Sequence, residues 1–165
     1  MSDLLTRSFD LFSDDRRFRY VMGHIWDEDL PALCSCALNS SKGSKDKNDP
    51  TNTRLQVRAM AMNLGGVIYV NGFPFVSSSP KEMMKQADPF GDRDLADSII
   101  LKYAANNFLL CGWGNHGTHM GRDQELIHLF TDAGIKMHAL KITTQGQPWH
   151  PLYLSYDTKP FEWRP

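Results

Sequence analysis

Cysteine is scarce in this chain: Cys34, Cys36 and Cys111 are its three thiols among 165 residues. An odd number cannot all pair within one chain, and each lies in an apolar run where a reduced thiol behaves as a small hydrophobe. A disulfide framework is therefore excluded. No C-x-x-C or H-x-x-x-H pair follows Cys34 and Cys36 at finger-like spacing, so neither a structural metal nor a cofactor is expected. An excess of charge of one sign is missing too. Eighteen Lys and Arg stand against 19 Asp and Glu, a formal net charge of -1. No global basic field recruits DNA, and any nucleic-acid contact must be local. No apolar run approaches the roughly 20 residues that span a bilayer. Met1-Ser2-Asp3 does not open a basic-then-apolar signal, and the expectation is a cytoplasmic protein without membrane contact. Internal repeats are absent, and the glycines match neither a phosphate loop nor a dinucleotide fingerprint.

What is present is enough apolar residue, 41%, for one core, so residues 1–165 read as a single α/β domain with 1–17 as a loosely packed N-terminal segment. Large residues alternate from Arg19 to Trp26 as in a strand, and Ala32 to Leu38 is a small apolar run typical of a strand buried on both faces. Ser40 to Pro50 is polar and aperiodic, an exposed loop. A helix is expected over 51–64 with Gly65-Gly66 as its stop, a strand over 67–70, and a turn at Asn71-Gly72-Phe73-Pro74-Phe75 with exposed aromatics. Helices follow over 80–86, 92–106 and 123–131, with strands at 108–112 and 136–140 and a last one running into His150-Pro151. Strands alternating with helices predict a three-layer fold whose central sheet of 4–5 strands is largely parallel. Ligands bind such sheets beyond the carboxyl ends of the strands.

Three strand ends carry the polar groups. Asn39 follows the buried strand, and its amide could position a water or read a base edge; a turn asparagine is the plainer alternative. Asp49 could act as a general base, or cap the helix that Pro50 opens. Gly112-Trp113-Gly114-Asn115-His116-Gly117 lets backbone approach a ligand closely. His116 and His119 have the spacing of a metal pair but no adjacent carboxylate, and Arg122 could contact phosphate or lie solvated on its helix. His150 could stabilise a leaving group's charge or hold a phosphate, and Trp149, Tyr153 and Tyr156 around it could stack on a base or close the core. Asn71 ends a further strand on the same side.

Several segments together resemble one family. They are Arg19-Tyr20 through Ile25-Trp26, Leu38-Asn39-Ser40-Ser41, Asn48-Asp49-Pro50-Thr51, Gly65-Gly66 through Asn71, Asp88-Pro89, Trp113 through Gly117, Arg122, Gly134-Ile135 and His150 through Leu154. The resemblance is to the bacterial and phage domain-of-unknown-function family 1643, from about Arg19 to Leu154. The family's Leu-Asn-Pro-Ser is here Leu38-Asn39-Ser40-Ser41. More distantly, an apolar strand ending in an Asn loop, a strand ending in Trp-Gly and a final His-Pro loop resemble the uracil-DNA glycosylase superfamily, although its Gly-Asp-Pro-Tyr motif is absent. This second resemblance implies a metal-independent N-glycosylase in which Asn39 or Asp49 positions the water and His150 supports the departing base. The ligand, a nucleobase, nucleotide or DNA, would lie among Asn71, Trp113, Asn115, His116, Arg122 and Tyr153. Two other readings stand beside it: a noncatalytic nucleotide- or protein-binding module, such as a phage protein that blocks a host factor, and a metal-dependent hydrolase using His116, His119 and Asp49.

Overall fold

The computed structural model describes residues 6–42 and 50–165. Seven strands form one mixed sheet: β1 (Arg7–Phe12), β2 (Arg19–Ile25), β3 (Leu33–Ser40), β4 (Gly66–Val76), β5 (Phe108–Gly112), β6 (Met137–Ala139) and β7 (Phe161–Trp163). Their spatial order is β1-β2-β4-β3-β5-β6-β7. The centre, β4-β3-β5-β6, is parallel, while β1 and β2 on one side and β7 on the other are added antiparallel. The expected sheet of 4–5 largely parallel strands is thus corrected to seven in a mixed arrangement. The strands that were not anticipated are short edges, whose half-exposed residues lack the apolar runs that announce a buried strand.

The N-terminal segment is not loose over its second half. Leu11 is paired with Val21 and Phe9 with Gly23, and Phe9 stacks on Tyr103. The expected turn at 71–75 is also overturned, because β4 continues to Val76, Asn71 pairs with Ala37 and Phe73 is fully buried. Of its turn signals, Pro74 falls in the irregularity of the β3–β4 register between the Asn39–Phe73 and Ser40–Val76 pairs. A missing N–H is tolerated at such a bulge.

Among the described residues four α-helices cover the sheet: α1 (Pro50–Ala61), α2 (Pro80–Met84), α3 (Arg93–Ala105) and α4 (Arg122–Asp132). α1 stops earlier than Gly65-Gly66 would dictate, at Asn63, whose φ of 57° is left-handed and which bonds back to the Met60 carbonyl. Asparagine tolerates that conformation better than most residues. Alternation along the central strands divides two cores. Cys34, Cys36, Ile68, Val70, Leu109 and Cys111 face the helices α3 and α4, where Ile99, Ile100, Leu126 and Phe130 meet them. Leu33, Val67, Tyr69 and Leu110 face the other way, toward Leu55 and Ala59 of α1 and Leu154 of the C-terminal segment. No helix among the described residues is long and apolar enough to cross a membrane.

No strand runs into His150. Residues 140–149 form a loop closed on itself by the Ile142–Pro148 bridge and by bonds from Thr143 N to Gln147 O and from Trp149 N to Lys141 O. His150 then caps a single 3-10 turn, Pro151–Tyr153.

Candidate functional site

The sheet face toward α1 is apolar at the amino ends of the parallel strands and polar at their carboxyl ends. On β3 the residues of this face are Leu33, Ser35, Ala37 and Asn39; on β4 they are Val67, Tyr69 and Asn71. Because Ala37 is small, a cavity of about 70 Å³ remains between this face, the first turn of α1 and His150. Its walls include Arg19 of β2 and Thr51, Asn52 and Leu55 of α1. Among the described residues no carboxylate lines it.

Internal bonds orient the polar groups. Asn39 Nδ2 donates to the carbonyls of Ser40 (3.1 Å) and Ser77 (2.9 Å), which engages both amide protons and leaves Oδ1 as the atom it presents. Asn71, buried, donates at 3.0 Å to Ser40 Oγ, which itself donates at 2.9 Å to the Arg19 carbonyl. That chain fixes the Asn71 amide as well. Arg19 donates to the Ser41 carbonyl, 3.1 Å. His150 Nδ1 accepts from Leu152 N at 3.1 Å, so the neutral ring carries its proton on Nε2. The His-Pro turn sits low over the sheet because β5 offers a glycine beneath it: a Cβ at Gly112 would lie 2.9 Å from Pro151 Cδ.

The structure brings Asn39, Asn71 and His150 together and leaves Trp113, Asn115, His116 and Arg122 outside the cavity's lining. Trp113 lies on the opposite core, 2% exposed, with its Nε1 donating to Gln147 Oε1 at 2.8 Å. Gln147 in turn donates to the buried Asp123 at 3.0 Å. Trp113, expected among the ligand-binding residues, does not line the cavity: like Cys111 it packs in the core on the other side of the sheet. Arg122 is 1% exposed, ion-paired with Asp97 (2.6 Å) and Glu125 (3.1 Å) and bonded to the Gly72 carbonyl (2.8 Å). It is a core tie and has no donor turned toward the cavity. Asn115 is exposed and accepts from Thr143 Oγ1, and His116 is exposed; neither lines the cavity. His119 is tilted against Phe73, and no group of three His, Cys, Asp or Glu among the described residues is placed to hold a metal ion. Tyr153 is the last residue of the turn that His150 caps. Asp49 falls outside the described residues.

Ser35, Arg19, Asn52 and Tyr69 were missed as pocket residues. Period-two spacing carried the signal for two of them: Ser35 is four residues before Asn39 on the same strand, and Tyr69 two before Asn71. The three cysteines are all fully buried, and burial pushes their thiols up, to about 12 at Cys36.

No curated protein and no solved structure matches the chain. The family described as Protein of unknown function (DUF1643) matches it from residue 19 to residue 152, a span that holds every strand but the two edges and every residue lining the cavity, and the chain belongs to that family.

Proposed function

We propose that the cavity receives a nucleobase and that the protein hydrolyses an N-glycosidic bond, in the manner of a uracil-DNA-glycosylase-like enzyme. The observation that supports this reading is the convergence of Asn39, Asn71 and His150, each oriented by its own hydrogen bonds, on one cavity at the carboxyl ends of parallel strands. Hydrogen-bonding groups around a small apolar-floored site are what reading a base displaced from its stack requires. In such a reaction the C1′–N bond breaks with its electron pair passing to the base. Water adds its oxygen to C1′, and the water's proton neutralises the departing base. His150 opposes the charge that develops on a ring carbonyl, and Asn39 Oδ1 accepts from the water. Asp49 is assigned the same water-positioning task from sequence.

Base release followed by mass spectrometry, from single- and double-stranded oligonucleotides carrying uracil, hypoxanthine, guanine or modified pyrimidines, tests this. Asn39→Ala and His150→Ala should each lose release by about a hundredfold or more, the size of effect expected for an oriented catalytic group. Full activity in both variants would remove the assignment. The lack of a carboxylate among the described lining residues favours the second reading, a noncatalytic module that sequesters a nucleotide or blocks a host protein. Stoichiometric binding without release would select it.

A further inference from the structure

The strap that carries His150 is anchored from the far side of the sheet. Residues 147–150 cross the carboxyl end of β5: Gln147 bonds to Trp113 in the core of α3 and α4, Pro148 O accepts from Gly114 N at 2.8 Å, and Trp149 packs against the core on the α1 side. His150 then reaches the cavity wall. Chemistry dictates how Gln147 sits. It is 7% exposed between two buried neighbours of opposite demand, the Trp113 indole, which only donates, and the Asp123 carboxylate, which only accepts. The Gln147 amide meets both, Oε1 accepting from Trp113 at 2.8 Å and Nε2 donating to Asp123 Oδ2 at 3.0 Å. A flipped amide would set donor against donor and acceptor against acceptor, so the side chain has one orientation. Bonds to Thr143 close the same loop: Gln147 N donates to Thr143 Oγ1 at 3.1 Å, and Gln147 O accepts from Thr143 N at 2.7 Å. Asp123 stands in the first turn of α4, where the helix N-terminus favours its charge.

We infer that Gln147 is a positioning residue for His150: clamped between Trp113 and Asp123, it fixes how the strap lowers the imidazole onto the cavity. Its effect on base release rests on the nucleobase reading above, while its effect on the place of His150 does not. A buried polar group stripped of its partner costs more than the pairing contributes. Loss of the amide is therefore answered by movement of the strap or entry of water. Misplacing a reacting group by about an ångström is enough to slow chemistry by about a hundredfold.

The test reads the imidazole directly, through the Hε1–Cε1 NMR resonance of His150 in the full chain, beside base release from the oligonucleotides above. Gln147→Met, which offers no amide, should shift that resonance and lower release by about tenfold or more. The double variant Gln147→Glu with Asp123→Asn keeps the clamp with one bond reversed, since a carboxylate at 147 accepts both from Trp113 and from an amide at 123. It should carry the wild-type resonance and release. Ile100→Val, a small loss in the core under α3, should change neither. An unmoved His150 in folded Gln147→Met, or a displaced one in the folded double variant, overturns the inference. Should no protein release a base, wild type included, the nucleobase reading falls and the resonance still decides the role of Gln147. Should the variants fail to fold, native-state hydrogen exchange of the unaltered protein decides it. Gln147 N–H and Leu152 N–H, the latter bonded to His150 Nδ1, should open with the same dependence on denaturant. Free exchange at Leu152 while Gln147 stays closed overturns the coupling.

Discussion

At Arg122 a guanidinium almost devoid of solvent holds two carboxylates and the carbonyl of Gly72. Arg122→Met should destabilise the fold by about 3 kcal/mol, the low end for breaking a buried pair, because Asp97 and Glu125 remain partly solvated. Arg122→Lys should recover little, since an ammonium cannot reproduce the planar fork. Urea denaturation midpoints measure both, and a variant as stable as wild type would refute the structural role. The three buried thiols give a second residue-scale expectation. With Cys36 at about 12, its thiolate is roughly one part in ten thousand at pH 8. A thiol reagent should therefore label none of the three without unfolding, at a rate that follows unfolding. The stability linked to Cys36 is complete below about pH 9, where the unfolded thiol begins to ionise, and is lost as pH rises toward 12. Labelling of native protein within seconds would contradict the burial. The sequence showed that these cysteines were apolar neighbours, because their runs were apolar. It could not show Arg122's burial, since the partner that decides it, Asp97, is 25 residues away.

Elements were legible where both faces are buried. β2 and β5 lie within the expected runs, β3 starts within its run and continues two residues past it to Ser40, and α3 begins and ends within a residue of its reading because Asp92 caps Leu95 N and Asn106 closes it. Edges were not legible, for every residue of β1 and two of the three in β7 are partly or largely exposed, so neither alternation nor apolarity marks them. The His-Pro segment, read as a turn, is one, while the strand expected before it does not exist; Gly146 at φ +82° and Thr143 fold that stretch back on itself instead. What seats this turn is Gly112. In Gly112→Ala the new methyl would meet Pro151 Cδ at 2.9 Å and Trp149 O at 3.3 Å. The turn must lift, at a stability cost of about 1–2 kcal/mol. Ligand binding should fall by more than stability does, because His150 moves with Pro151. Hydrogen exchange over 149–154, read beside a binding isotherm, checks this; unchanged exchange would mean that the turn is seated by other contacts.

Across the whole molecule, the cavity depends on α1 and the C-terminal segment being held together, since one supplies Asn52 and Leu55 and the other follows directly from His150. Arg58 makes that connection. It is 5% exposed and donates to the carbonyls of Leu154 (3.1 Å), Ser155 (2.7 Å) and Thr158 (2.7 Å), while Arg54 shares Leu154 O and both guanidiniums lie over the ring of Tyr156. Burial, and then the charge of Arg54, hold the Arg58 pKa below its ordinary value, yet an arginine stays cationic at neutral pH. The three carbonyls that meet its terminal nitrogens are consistent with that, each bond from a charged donor being stronger than a neutral one. Removing it leaves carbonyls without a donor while both cores remain filled, so the opening should be local: residues 154–158 detach before the sheet does. Arg58→Met should therefore speed chymotryptic cleavage at the half-exposed Tyr156 about tenfold or more, with a global loss of only about 2 kcal/mol. Arg58→Lys, keeping one charged donor, should fall between. Cleavage at the wild-type rate would show that the apolar contacts of Leu154 alone secure the segment, and that the pocket wall does not depend on the arginine.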